Sequence, residues 1–377
     1  MEISTVCVHG NGQKDQTGAV STPIYQSATF CHPAVGQSTG YDYSRLQNPT
    51  REQLENTMAL LENGVDAIAF SSGMAAISNM MELFSPNDHI IVSDDIYGGT
   101  HRLFSHVSVK NQIDVDFVDT SDISEISSHI KDNTRAIFIE TPTNPMMKVS
   151  DISEIARIAK INGLITIVDN TFLTPYFQRP IELGADIVVH SATKYLGGHN
   201  DTLAGILVVA NMELSQKLRF ISKTIGSGLS PFDSWLIQRG IKTLPIRMEK
   251  SQQNAKEIAL WLYAHPKIKK VYYTGLENHP GHAICKKQAS GFGAMISFEV
   301  DCVDTATKLL EKVNLILYAE SLGGVETLIT YPMLQTHADV PVDIREAQGI
   351  NNKFLRLSVG IEALEDIISD LSQALDL

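Results

Sequence analysis

Seven short apolar runs, separated by stretches with helical spacing, constrain the fold more than any other feature of this 377-residue chain: Ala67–Phe70, His89–Val92, Val115–Val118, Ala136–Glu140, Ile165–Asp169, Ile187–His190 and Ala204–Val209. Runs this short and this continuously apolar suit strands buried on both faces. Intervening segments read as helices: between Ser150 and Asn162, residues Ile152, Ile155, Ile158, Ala159 and Ile161 roughly mark one face. Strand and helix in alternation predict an α/β fold with a mainly parallel seven-stranded sheet covered on both sides. The length exceeds what one core usually supports, so two domains are expected. Residues 1–60 read as an irregular arm running into a helix from about Arg51 to Glu62, and residues 61–245 as the large α/β domain. After Pro245 a helix over 246–265 leads to strands at Val271–Tyr273 and Ala294–Val300. The second of these alternates like a strand with one exposed face, so residues 246–377 form a smaller α+β domain.

A net charge of −13 argues against nucleic acid or an anionic membrane as partner, since both require a basic face. No apolar run approaches the roughly 20 residues that span a bilayer, and Met1–Asn11 lacks a secretory core, so a cytoplasmic location is expected. Cys7, Cys31, Cys285 and Cys302 are scattered and the twelve histidines contain no HExxH, so no metal site is expected. His190 reads as a packed wall residue.

The chemistry concentrates at strand ends. The sixth run terminates in Ser191-Ala192-Thr193-Lys194, and ligands of α/β proteins sit beyond the carboxyl ends of strands. A lysine there can form a Schiff base. The fifth run ends in Asp169, 25 residues earlier. An amine that traps an aldehyde and an acid for a pyridinium nitrogen are what pyridoxal 5'-phosphate (PLP) requires of its protein. Ser71-Ser72-Gly73-Met74-Ala75-Ala76 follows the first run and opens a helix, where backbone N–H groups favour an anion. A tight strand-to-helix turn needs the same small residues, but Ser191 and Thr193 add hydroxyl donors for the same phosphate. No GxGxxG follows the first strand, which argues against a nicotinamide cofactor. Taken alone, Asp169 is equally a cap for the following turn, and Tyr97 either stacks on a planar ring or packs. Arg356 lies in an apolar run where a charge needs a partner, either a substrate carboxylate or a structural acid.

These residues resemble one family, the PLP-dependent enzymes of cysteine and methionine metabolism. The resemblance runs from about Gly18 to Ala374. It rests on Tyr43-Ser44-Arg45 with Asn48-Pro49-Thr50-Arg51, Ser72-Gly73-Met74-Ala75-Ala76, Tyr97-Gly98-Gly99-Thr100, Glu140-Thr141-Pro142-Thr143-Asn144-Pro145, Val168-Asp169-Asn170-Thr171-Phe172 and His190 through His199. It implies the fold type I transferase architecture with PLP on Lys194, which would later shuttle protons, and Asp169 on the ring nitrogen. Gly73, Met74, Ser191 and Thr193 would bind the phosphate. Tyr43 and Arg45 would reach it from a neighbouring subunit, within a homotetramer built of catalytic dimers. Tyr97 would stack and assist proton transfer. Asn144, Glu320, Ser321 and Arg356 would bind the amino-acid substrate, with Arg356 on its α-carboxylate.

Within that family the local words lean toward cystathionine γ-synthase, which joins cysteine to an O-acylated homoserine. Glu320-Ser321-Leu322-Gly323-Gly324 resembles γ-synthases and γ-lyases, whereas β-lyases tend to lack the acid. Phe232-Asp233-Ser234 and Gly198-His199-Asn200-Asp201 look more like γ-synthases, and Gly99 stands where methionine γ-lyase has cysteine. Cystathionine γ-lyase is the alternative, then β-lyase or an O-acylhomoserine sulfhydrylase, because one scaffold serves all of them. A catalytically silent binding protein would need a broken site, yet Lys194, Asp169, Tyr97 and Arg356 are all present.

Overall fold

A computed structural model describes residues 1–12, 17–338 and 340–376. All seven expected strands are present, with ends within two residues of those expected: β1 (Asp66–Phe70), β2 (His89–Ser93), β3 (Asp114–Val118), β4 (Thr134–Glu140), β5 (Ile165–Asp169), β6 (Ile187–Ser191) and β7 (Gly205–Val209). They form one sheet in the order β1-β7-β6-β5-β4-β2-β3. The sheet is parallel except for β7, which runs antiparallel to both neighbours. Two reversals restore direction, so β1 runs the same way as β4, β5 and β6. The carboxyl ends of these four strands therefore share one edge of the sheet, and the site is built there.

Alternate residues of each strand enter different cores, as the period of two requires. Ile137, Ile139 and Val188 belong to one cluster, with Leu54 and Met58 of the helix α2 (Pro49–Glu62), which follows α1 (Ile3–His9). Ala136, Phe138, Ile187 and Val189 join the other, with Ile77 and Met80 of α3 (Gly73–Met81). A second sheet follows, made of β8 (Ile268–Tyr272), β9 (Met295–Val300), β10 (Leu317–Tyr318), β11 (Leu328–Thr330) and β12 (Phe354–Ser358), in the order β10-β11-β12-β9-β8. Its Met295, Ile296, Phe298 and Leu355 share the first cluster with the large sheet. The linking helix spans Leu244–Ala264.

Two sequence expectations are corrected. β9 is buried along its length except at Glu299, rather than exposing one face. It lies between β12 and β8, and its polar Ser297 donates to the Pro145 carbonyl at 2.7 Å, so the large sheet's loops cover the face that alternation left open. The helix expected over 150–162 spans Ile152–Ile161 with Asp151 as N-cap, and Ile161 is 70% exposed rather than part of the apolar face. No helix among the described residues is long and apolar enough to cross a membrane, and no group of three or more metal-ligating side chains occurs among them.

Candidate active site

At the shared strand edge, β5 places Asp169 level with Glu140 of β4 on one side and Val189 of β6 on the other. Asp169 accepts the backbone N–H of Thr171 at 3.0 Å. Burial raises its carboxyl above the usual range, while Thr171 and the charge of His190 draw it back. Burial and the charge of Asp169 push Glu140 well above the ordinary carboxyl value, and the Tyr97 backbone N–H, donating to it at 3.1 Å, works the other way. Two neighbouring acids, Glu140 buried and Asp169 partly buried, call for a cationic donor between strand ends. A protonated pyridine nitrogen supplies that charge and an N–H.

Lys194 lies in the turn after β6, and its Nζ donates to Ser321 Oγ at 3.2 Å. Burial first, and the Arg356 guanidinium second, lower its amine to about 8, against the pull of Glu320. A lysine so shifted carries a neutral, nucleophilic fraction near neutral pH.

The candidate phosphate cradle lies where β1 meets α3. The Ser72 side chain caps the helix by accepting the Ala75 N–H at 3.0 Å, leaving the amides of Gly73 and Met74 without acceptors inside their helix. A Cβ on Gly73 would come within 3.1 Å of the Ser191 side chain. A Cβ on Gly205, where β7 begins, would run into the Ser72 carbonyl. Two glycines thus let helix, strand and Ser191 converge on one anion site. The Thr193 hydroxyl donates to the Ala204 carbonyl at 3.2 Å and accepts the Ala204 N–H at 3.0 Å, so a phosphate contact from it requires release of Ala204. These donors, the Lys194 amine and the acid pair fit PLP in their chemistry: an anion site, an amine for the aldehyde and acids for the ring nitrogen.

Arg356 on β12 is 1% exposed. It donates to Asn144 Oδ1 at 2.8 Å, the Ser321 carbonyl at 2.9 Å and Thr330 Oγ1 at 3.1 Å, while its Nε is buried without a partner. None of these acceptors is a carboxylate, so the structural ion pair left open by the sequence is not among its hydrogen bonds. Burial lowers the guanidinium to about 10. A buried, fork-shaped cation with an idle donor is suited to a substrate carboxylate. Tyr97 is 42% exposed at the rim, and its ring fills the space in which a Cβ on Gly99 would sit. Glu320 and Ser321 line an open pocket of about 880 Å³ with Thr193, Asp201, Asp233 and Glu326. Ser321 has φ 125°, a left-handed conformation rare for a side-chain-bearing residue.

Of the candidate site residues only Thr193, Glu320 and Ser321 line this pocket; Tyr97, Asn144, Asp169, Lys194, Arg356, Tyr43 and Arg45 do not. The Arg45 guanidinium donates to the Lys223 carbonyl and lies 5.7 Å from the centroid of the Tyr43 ring, which is 46% exposed. Sequence reasoning gave no role to Glu140 or Glu62. Glu140 was findable as the polar end of a run whose neighbour ends in Asp169; Glu62, the last residue of a surface-like helix, carried no signal.

The family profile described as "Cys/Met metabolism PLP-dependent enzyme" matches residues 4–376. The chain is 51% identical over 375 residues to a cystathionine β-lyase of Lactococcus lactis subsp. cremoris, covering 99% of both chains. It is 50% identical over 377 residues to a cystathionine γ-lyase of Bacillus subtilis, covering both completely. With a cystathionine γ-synthase/O-acetylhomoserine (thiol)-lyase of the same organism it shares 50% over 366 residues, 97% of this chain and 94% of the relative. Among solved structures, cystathionine γ-lyase of Lactobacillus plantarum complexed with L-serine superposes with a TM-score of 0.98 at 44% identity, covering 100% of this chain and 99% of the other. The chain therefore belongs to the Cys/Met metabolism family of PLP-dependent enzymes.

Proposed function

We propose that this enzyme cleaves the Cγ–S bond of cystathionine, with water, to cysteine, 2-oxobutyrate and ammonia. The observation that carries the reading is the charge of the open pocket that adjoins the site at Thr193 and Ser321: Asp201, Asp233, Glu320 and Glu326 line it, and no lysine or arginine is among its lining residues. The distal end of cystathionine is a zwitterion whose ammonium can face those acids, whereas an O-succinylated homoserine brings them a carboxylate with no ammonium beside it. This reverses the order expected from sequence, in which γ-synthesis came first. Full-length relatives named as β-lyase, γ-lyase and γ-synthase share the coarser chemistry, C–S bond breaking or making on cystathionine.

Bound PLP supplies an electron sink that acidifies the substrate's Cα proton and then its Cβ protons. The chain's residues do the rest. Arg356, oriented by Asn144 and the Ser321 carbonyl, grips the α-carboxylate. Lys194 Nζ, low in pKa and bonded to Ser321 Oγ, takes the proton from Cα and then from Cβ. The Tyr97 hydroxyl at the rim protonates the leaving sulfur. Asp169 holds the ring nitrogen's proton, and Gly73, Met74 and Ser191, with Thr193 once freed from Ala204, hold the phosphate. Tyr43 and Arg45 complete a neighbouring subunit's site, which requires at least a dimer. We place the functional divisions at 1–60, 61–245 and 246–377.

The second reading is γ-synthesis, favoured by Gly198-His199-Asn200-Asp201 and by the Bacillus subtilis relative named for it. Mass spectrometry of holoenzyme with cystathionine decides. Cysteine with 2-oxobutyrate supports the proposal; homocysteine with pyruvate makes it a β-lyase. An inert cystathionine tube, with cystathionine forming from O-acetylhomoserine plus cysteine, establishes the synthase.

A further inference from the structure

Behind Asp169, on the face of the sheet where α2 packs, lies a buried pair that the proposed chemistry does not use. Glu62 closes α2, and His190 is the β6 residue next to Val189, the partner of Asp169 across β5 and β6. Both side chains are fully buried, and His190 Nε2 meets Glu62 Oε1 at 2.6 Å. The same oxygen accepts Asn170 Nδ2 at 2.9 Å. Asn170 directly follows Asp169 and is held further by Gln178, whose Nε2 donates to Asn170 Oδ1 at 3.0 Å, and by its own N–H to the Val189 carbonyl at 3.0 Å. A single carboxylate oxygen thus joins the residue after Asp169 to the strand that runs four residues later into Lys194.

The pair is costly as a structural element. Glu62 Oε2 and His190 Nδ1 are buried without partners, a penalty that two apolar side chains of similar volume would avoid. A costly pair placed under the acid that meets the ring nitrogen points to a task there. The groups acting on and around Asp169 are Glu140, level with it on β4, with Asp95 acting on Glu140 in turn, and His190 of β6 on the opposite face of the sheet. The charge of Asp169 raises Glu140, and that of His190 draws Asp169 down against its burial.

We propose that Glu62 and His190 are a positioning pair for Asp169: Glu62, bonded to both His190 and Asn170, fixes the ends of β5 and β6 against each other and so holds Asp169 where it meets the pyridine nitrogen. The inference rests on the reading of Asp169 as the ring-nitrogen partner but not on which C–S reaction is catalysed.

The test uses holoenzymes reconstituted with PLP labelled with nitrogen-15 in the ring, whose NMR shift reports protonation of that nitrogen. In wild type the nitrogen stays protonated through neutral pH. In E62Q, and in E62M/H190F, which leaves no orphaned buried charge and so preserves the fold, it loses its proton at a pH lower by about one unit or more. kcat falls while KM is unchanged. Ring-nitrogen titration at the wild-type pH in the double variant, whatever its melting temperature, overturns the proposal. D169A serves as control: if it too titrates like wild type, the assignment of Asp169 has failed, and with it the foundation of the pair's role.

Discussion

Replacing Lys194 by methionine should stabilise the PLP-free protein at neutral pH, although it destroys the reactive amine. The magnitude follows from the amine's lowered pKa. Burial and the neighbouring Arg356 bring it from 10.5 to about 8, a difference equivalent to roughly 3 kcal/mol, which partial solvent access makes an upper bound. At pH 7 both folded and unfolded chains hold the proton, so the folded state bears that penalty in full. Between pH 8 and 10.5 the folded chain sheds the proton while the unfolded chain keeps it, and wild-type stability climbs relative to Lys194→Met. Urea unfolding of both PLP-free proteins, at one protein concentration and a series of pH values, measures the difference, since every other titrating group is common to both. The variant should be more stable by up to about 3 kcal/mol at pH 7, with the gap closing above pH 10. Parallel stability curves from pH 7 to 10.5 would refute the claim that this lysine is held in a desolvated, cation-facing position.

Three further outcomes are expected. Arg356→Lys loses the fork that meets a carboxylate, at about 3 kcal/mol for two charge-assisted hydrogen bonds, so kcat/KM should drop roughly 100-fold with the bound cofactor's absorption unchanged. Arg45→Ala should weaken PLP retention on dialysis without altering any residue around Lys194 in the same chain; unchanged retention contradicts the cross-subunit reading. Gly205→Val sets side-chain carbon against the Ser72 carbonyl and should abolish PLP binding at micromolar cofactor, measured by absorbance, while Gly163→Ala, strained at φ 67° but with nothing within 4 Å of its Cβ, should not.

The site was legible where the chemistry sits at strand ends. Lys194 and Asp169 each terminate an apolar run, so the rule that ligands meet carboxyl ends located both before any geometry was known. The position of Ser71–Met74 was less accessible, because it depends on β7 turning back between β1 and β6, and a sequence does not display strand direction. Arg356 stood out as a charge in an apolar strand, but its lack of an acidic hydrogen-bond partner appears only once Asn144, Ser321 and Thr330 surround it from 212, 35 and 26 residues away. Glu62 was hidden for a related reason. Its meaning comes from His190 across 128 residues, and a helix-terminal glutamate looks like surface until the strand beneath it is placed. The exposed face expected for β9 failed because alternation reports polarity, and Ser297 buries its polarity against Pro145.

Every role proposed at this site depends on Lys194 carrying the cofactor. Borohydride reduction of the holoenzyme followed by proteolysis and peptide mass spectrometry tests it directly. A pyridoxyl group on the peptide bearing Ser191-Ala192-Thr193-Lys194, fixed to Lys194, is the expected result. A stoichiometric adduct on any other lysine, with Lys194 unmodified, would contradict it.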